Sequence, residues 1–308
     1  MTQQAAYHIG TPGKPWGASE KKAWLAEQNK KRSYADDVIS QIDSLRAEFD
    51  VEQYGTLDYA AGQYPLFVIK TKTFSPDKPT ILVTGGVHGY ETSGVHGALY
   101  FAANKAKDYA SLFNIVVAPC ISPWGYETIN RWNPEAVDPN RSFVANSQAP
   151  EAANIMAYVA SLQLDFLAHI DLHETTDTDN SEFRPALAAR DDTVQDNWNI
   201  PDGFYAVGDS HNPLPEFQAA VIASVEQVTH IALADETGKL IGSDLAQHGV
   251  INYPLHNLGL CAGFSRAQFT TTTEVYPDSP TATAKQCIAA QVAAVVGALD
   301  HLKAQQPA

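Results

Sequence analysis

ILVTGGVHGYETSG (residues 81–94) decides how this chain is read. Ile81, Leu82, Val83 and Thr84 read as a buried strand. The Gly85-Gly86 pair breaks it, and His88 and Glu91 follow three residues apart. In an α/β protein, groups just past the carboxyl end of a strand face the functional edge of the sheet. An imidazole and a carboxylate at that spacing can close on one cation, and zinc commonly takes three protein ligands with a fourth position left for water. Alone, a His-x-x-Glu pair is weak evidence against solvated loop residues, so a third donor is needed from elsewhere.

LDFLAHIDLH (164–173) supplies it, an apolar strand that runs out into His173. Asp171, two residues earlier on the same strand face, is placed to accept the other ring N–H, as carboxylates beside metal-bound histidines do. His169 and His96 read as ordinary core and helix histidines. A metal-activated water also needs a base. Glu274 is a lone carboxylate in the strand FTTTTEVYP (269–277), where it costs desolvation energy unless the strand end opens into a site. Glu174 ranks below it, because it points away if its neighbour His173 faces the metal. The loop WGYETINRWNPEAVDPNRSF (124–143) holds Arg131, Asn140 and Arg141. Arginine pairs bidentately with carboxylates, and Arg131 is placed to stabilise an oxyanion on an attacked carbonyl. On composition alone, both arginines read equally as surface ion pairs. The acidic run Asp177, Asp179 and Glu182 offers no second complete ligand set.

Outward from these motifs, strands are expected at 65–74, 80–86, 113–122, 164–173, 204–208 and 269–277. Helices are expected at 31–49, 92–109, 149–163, 216–233 and 281–303. The alternation predicts an α/β fold with a mixed sheet between helical layers. Residues 1–60 read as a helical extension packed on a catalytic domain at 61–308. The long connections 122–148 and 234–268 read as binding loops.

The 308 residues carry 35 acidic against 20 basic side chains, a formal charge of -15. That excess disfavours nucleic acid and anionic membranes as partners. Three cysteines, Cys120, Cys261 and Cys287, are too few and too scattered for a disulfide framework and read as buried thiols. MTQQAAYHIG (1–10) lacks the basic and apolar regions of a signal peptide, and no run approaches 18 apolar residues. The expected location is cytoplasmic, with no membrane span.

Four pieces, GGVHGYE (85–91), RWNPEAVDPNR (131–141), DLHETT (171–176) and TEVYP (273–277), occur in order over about 190 residues. Together they resemble the M14 zinc metallocarboxypeptidases, a clan shared with succinylglutamate desuccinylase and aspartoacylase. The resemblance implies a mixed, roughly eight-stranded sheet flanked by helices. It also implies one zinc ion per chain, held by His88, Glu91 and His173, with Glu274 as general base and acid. Arg131 would polarise the scissile carbonyl, and Asn140 and Arg141 would grip the substrate's terminal carboxylate. Tyr253, in GVINYPLH (249–256), matches the family's mobile tyrosine and equally reads as a packed one. Pro139 departs from the family pattern, and the 82 positions from Glu91 to His173 are few for a large digestive-type enzyme. The expected substrate is a small peptide with a free carboxylate. The alternatives are a small N-acyl amino acid, cleaved by the same chemistry, and a metal-binding module without turnover.

Overall fold

The computed structural model describes residues 7–72 and 74–306. Residues 1–6 of the expected extension, residue 73 of the expected strand 65–74, and residues 307–308 of the expected catalytic domain lie outside them. The strands are β1 (Phe49–Tyr59), β2 (Gly62–Thr71), β3 (Thr80–Gly85), β4 (Asn114–Ala118), β5 (Phe166–Glu174), β6 (Tyr205–Asp209), β7 (Lys239–Leu240), β8 (Ser243–Asp244), β9 (Val250–Tyr253) and β10 (Phe269–Val275). β7 and β8 pair only with each other. The other eight form one mixed sheet in the order β1-β2-β4-β3-β5-β10-β6-β9.

The four central strands, β4, β3, β5 and β10, run parallel. Strands covered on both faces must be apolar on both, and every residue of β3 and β4 is buried. Alternation then divides their side chains between two cores. Ile81 and Val83 face one core and Leu82 the other.

The helices are α1 (Ala18–Ala26), α2 (Ser40–Ser44), α3 (Thr92–Asn104), α4 (Ala106–Tyr109), α5 (Pro123–Thr128), α6 (Pro150–Ser161), α7 (Arg184–Asp191), α8 (Pro215–Val225), α9 (Cys261–Phe264) and α10 (Ala284–Ala304). α3, α8 and α10 pack together over the Ile81 face, and Ala152 and Ile155 of α6 cover the Leu82 face. The expected α/β architecture, a mixed sheet between helical layers, is the one observed. α10 is long and apolar enough by length and composition to cross a bilayer, but it packs here as a core helix with Ala290, Val295 and Leu299 fully buried.

The expected helix 31–49 is shorter than its periodicity suggested. A π-helical turn (Ala35–Ile39) leads into α2, which ends at Ser44, and Phe49 opens β1. β1 and β2 form an antiparallel hairpin that turns at residues 60–61. Residues 49–59 are therefore sheet, with a ladder of backbone hydrogen bonds to β2, and not helical extension. The segment before them packs Trp24, 2% exposed, against Trp124 and Trp132.

Candidate metal centre

His88 and Glu91 sit in the loop that leaves β3. The loop's path depends on Gly89. A Cβ at that position would lie 2.1 Å from the Tyr126 amide nitrogen and 2.3 Å from the Ser122 carbonyl oxygen, so only glycine fits. Arg32, from the N-terminal segment, braces the loop from outside. It donates to the Gly89 carbonyl at 2.9 Å, the Thr92 hydroxyl at 2.6 Å and the Tyr126 carbonyl at 2.5 Å. β5 brings His173 to the same sheet edge, opposite Glu274 of β10 in the parallel register.

The three side chains converge. His88 Nδ1 lies 2.7 Å from Glu91 Oε1, and His173 Nδ1 lies 2.7 Å from Glu91 Oε2. All three are at most 2% exposed. Each imidazole turns its Nε2 toward a different acid, His88 to Asp138 Oδ1 at 3.0 Å and His173 to Asp171 Oδ2 at 2.8 Å. With Nε2–H donated outward, each Nδ1 presents a lone pair to a carboxylate oxygen. Two lone pairs at that distance repel unless a cation or a proton lies between them. Glu91 Oε2 has no hydrogen-bond partner of good geometry although it lies 2.7 Å from His173 Nδ1.

Two imidazoles and one carboxylate, their ligand atoms all within 4.8 Å of one another, fit a divalent cation. The charges of the cluster act strongly on one another. Burial alone would raise the Glu91 carboxyl, but His173 and His88 outweigh it and hold it down to about 2. Burial works against a charged His173, and Asp171 and Glu91 overcome it and push the imidazole well up.

Beside this cluster lies a cavity of about 270 Å³ whose wall includes Glu274, Arg131, Arg141 and Tyr253. Glu274 accepts a hydrogen bond from Thr175 at 2.9 Å. Burial, resisted by His173 and reinforced by Glu91, pushes its carboxyl up to about 8. Arg131 donates to Asp138 Oδ2 at 3.2 Å and reaches Tyr90 at 3.4 Å and Asp179 at 3.5 Å, with its guanidinium 4.2 Å above the Phe183 ring. Arg141 donates to its neighbour's carbonyl at 2.6 Å. Tyr253 accepts from Ser243 at 3.2 Å. Asn140 is outside the cavity wall. Its Oδ1 accepts from the Cys261 amide at 2.7 Å, and its Nδ2 stands 3.4 Å from His173 Nε2.

Glu174 turns away from the cluster's centre and accepts from the Ser93 and Thr92 amides at 2.7 and 3.1 Å, at the start of α3. His169, Asp171 and Cys261 form a second group of possible metal donors. The Thr84 hydroxyl stands among them, 2.8, 2.6 and 3.6 Å from the three, and burial drives the Cys261 thiol well above its usual range. That group is a satisfied polar network in the core. Asp177, Asp179 and Glu182 do not converge, since each accepts from a different tyrosine, Tyr276, Tyr90 and Tyr7.

Sequence reading missed Asp138, Tyr90 and the bracing Arg32, and it weighed Asp179 only as a metal donor, not as a partner of Arg131. Only Asp138 carried a local signal. Its place before Pro139-Asn140 is that of an Asx turn, and its Oδ1 accepts from the Asn140 amide at 2.9 Å.

Residues 63–184 match the model of the zinc carboxypeptidase family, Peptidase M14. Over those 122 of its 308 residues the chain is similar to the zinc carboxypeptidases. The matched segment holds His88, Glu91, Arg131, Asn140, Arg141 and His173, and stops before Tyr253 and Glu274.

Solved structures share this fold. A protein of Shewanella amazonensis, provisionally named a metallopeptidase, is 18% identical with a TM-score of 0.64, over 90% of this chain and 99% of its own. A provisionally named metallopeptidase of Shewanella baltica is 17% identical with a TM-score of 0.63, over 89% and 98%. A metallo-carboxypeptidase of Burkholderia cenocepacia is 14% identical with a TM-score of 0.57, over 95% and 70%. No curated protein matches the chain by sequence. The chain thus has the fold of these structures, a zinc carboxypeptidase match over residues 63–184 and a candidate site for a divalent cation.

Proposed function

We propose that the chain is a zinc-dependent hydrolase of the carboxypeptidase type, cleaving the amide bond next to the free carboxylate of a small peptide. One juxtaposition carries this reading. A cluster of three metal donors at 2.7 Å spacings adjoins a cavity walled by Glu274, Arg131 and Arg141.

His88, Glu91 and His173 would hold a divalent ion, which would supply Lewis acidity to the attacked carbonyl. Glu274, on the cavity wall and held by Thr175, is placed to take a proton from the attacking water and return it to the leaving nitrogen. Arg131, already oriented by Asp138, Tyr90 and Asp179, donates to the carbonyl oxygen as charge develops on it. Arg141 pairs with the terminal carboxylate. Asn140, tied to the Cys261 amide, holds the turn that presents Arg141. Tyr253 closes over the substrate.

The test is metal analysis of the purified protein, followed by hydrolysis assays on peptides with free and amidated C-termini and on N-acyl amino acids. One zinc per chain and cleavage restricted to free C-termini are expected. Cleavage of acyl amino acids alone would replace this reading with that of a deacylase. Bound zinc without any turnover would leave a metal-binding module.

A further inference from the structure

Arg184 is 7% exposed and lies in the wall of the same cavity. Its Nη1 donates to Asn180 Oδ1 at 2.6 Å and to the Asn199 carbonyl at 3.2 Å. No carboxylate among the described residues comes within 4.0 Å of its guanidinium, whereas Arg131 has both Asp138 and Asp179 within that distance. A buried guanidinium without a counter-ion is costly, and this chain has 35 acidic side chains from which to supply one.

The acids that share the cavity are engaged elsewhere. Asp179 accepts from Tyr90 at 2.8 Å and from the Thr176 amide at 2.9 Å. Glu174 caps α3. Glu274 is held by Thr175 and is kept for proton transfer. Three of the chain's seven arginines, Arg131, Arg141 and Arg184, thus meet in about 270 Å³ of a protein of charge -15. One terminal carboxylate occupies Arg141, which leaves Arg184 with no carboxylate in contact, Asp179 acting on it only from beyond 4.0 Å.

We infer that the substrate carries a second carboxylate on the residue that is released, and that Arg184 binds it. The enzyme therefore prefers peptides ending in glutamate or aspartate. This rests on the carboxypeptidase reading above. It adds that the side-chain subsite is cationic, which nothing in the sequence around Arg184 announced.

The experiment compares kcat/KM of the zinc-loaded protein on N-benzoyl-Ala-Glu and N-benzoyl-Ala-Gln, which match in shape and differ in charge. The wild type is expected to favour the glutamate peptide by about tenfold or more, because a preformed guanidinium fork discriminates strongly for a carboxylate. Arg184→Met should bring the ratio to within about twofold of one. Arg184→Lys, which keeps the charge but loses the fork, should retain an intermediate ratio. Circular dichroism and zinc content report whether each variant is folded. A wild-type ratio near or below one overturns the inference without need of any variant, and so does a ratio that survives in folded Arg184→Met. In both cases the peptides are still cleaved, so the carboxypeptidase reading stands. Failure of the zinc-loaded wild type to cleave any peptide with a free C-terminus removes that reading and this inference together.

Discussion

Asp171 Oδ2 stands 2.8 Å from Nε2 of His173, on the ring edge opposite Glu91, and Asp171 Oδ1 accepts from the Thr84 hydroxyl at 2.6 Å. The carboxylate is thereby locked between β3 and β5 before any metal arrives. It fixes which nitrogen of His173 carries the proton, and hence which one faces the cluster. Asp171→Asn keeps the shape but loses the charge. It should weaken zinc binding by about 10–100-fold, read by competition with a chromogenic chelator. An unchanged affinity would mean that packing alone orients the ring.

Glu274 is the one carboxyl of the cavity wall poised close to neutral pH and not spent on a backbone cap or an ion pair. Glu274→Gln should lower kcat/KM on a cleaved peptide by at least about 100-fold and leave one zinc bound per chain. Retained turnover would return the base role to Glu174 or to another group.

The same residue gives the metal-stripped protein a pH signature. Its carboxyl titrates at about 8 when folded, against an ordinary 4.5. Between those values the folded chain keeps a proton that the unfolded chain has released, so stability falls as pH rises. The contribution is complete below about 4.5 and gone above about 8. Urea midpoints in excess chelator should therefore drop more from pH 5 to pH 8 in the wild type than in Glu274→Gln. Equal drops would show that Glu274 is not the buried acid responsible.

The metal donors are legible in the sequence because each follows an apolar strand that ends in polar residues, and a central parallel strand leaves little freedom in where its carboxyl end lies. The remainder is harder to read for identifiable reasons. β1 carries a register shift between Gln53 and Gly55, so FDVEQYGTLDY does not keep one alternation along its length. β9 has only four residues, too few to show a period. The groups that orient Arg131 come from contacts across long stretches of chain, Tyr90 to Asp179 spanning 89 positions, and no local pattern encodes such a pairing. Arg184 follows the acidic run 177–182, which has the composition of a solvated loop, and only the folded structure shows it buried with no acid within 4.0 Å.

Gly89 separates the two donors of the β3 loop, and its replacement tests whether loop shape and metal binding are one property. A methyl group there would meet Tyr126 N at 2.1 Å, Gly125 C at 2.3 Å and Ser122 O at 2.3 Å. All three atoms are backbone at the start of α5, so no side chain can swing aside. Either α5 or the loop must shift. Arg32 ties the loop to the N-terminal segment through the Gly89 carbonyl, so a shift also breaks that brace. Gly89→Ala should destabilise the metal-free protein by about 1–3 kcal/mol, the range for overpacking a close-packed site. It should also weaken zinc binding, because His88 and Glu91 move with the loop. Urea unfolding in chelator and a zinc titration of the same sample measure the two effects separately. Wild-type stability together with wild-type zinc affinity would show that the loop tolerates the added carbon, and that the tight contact with α5 does not hold the donors in place.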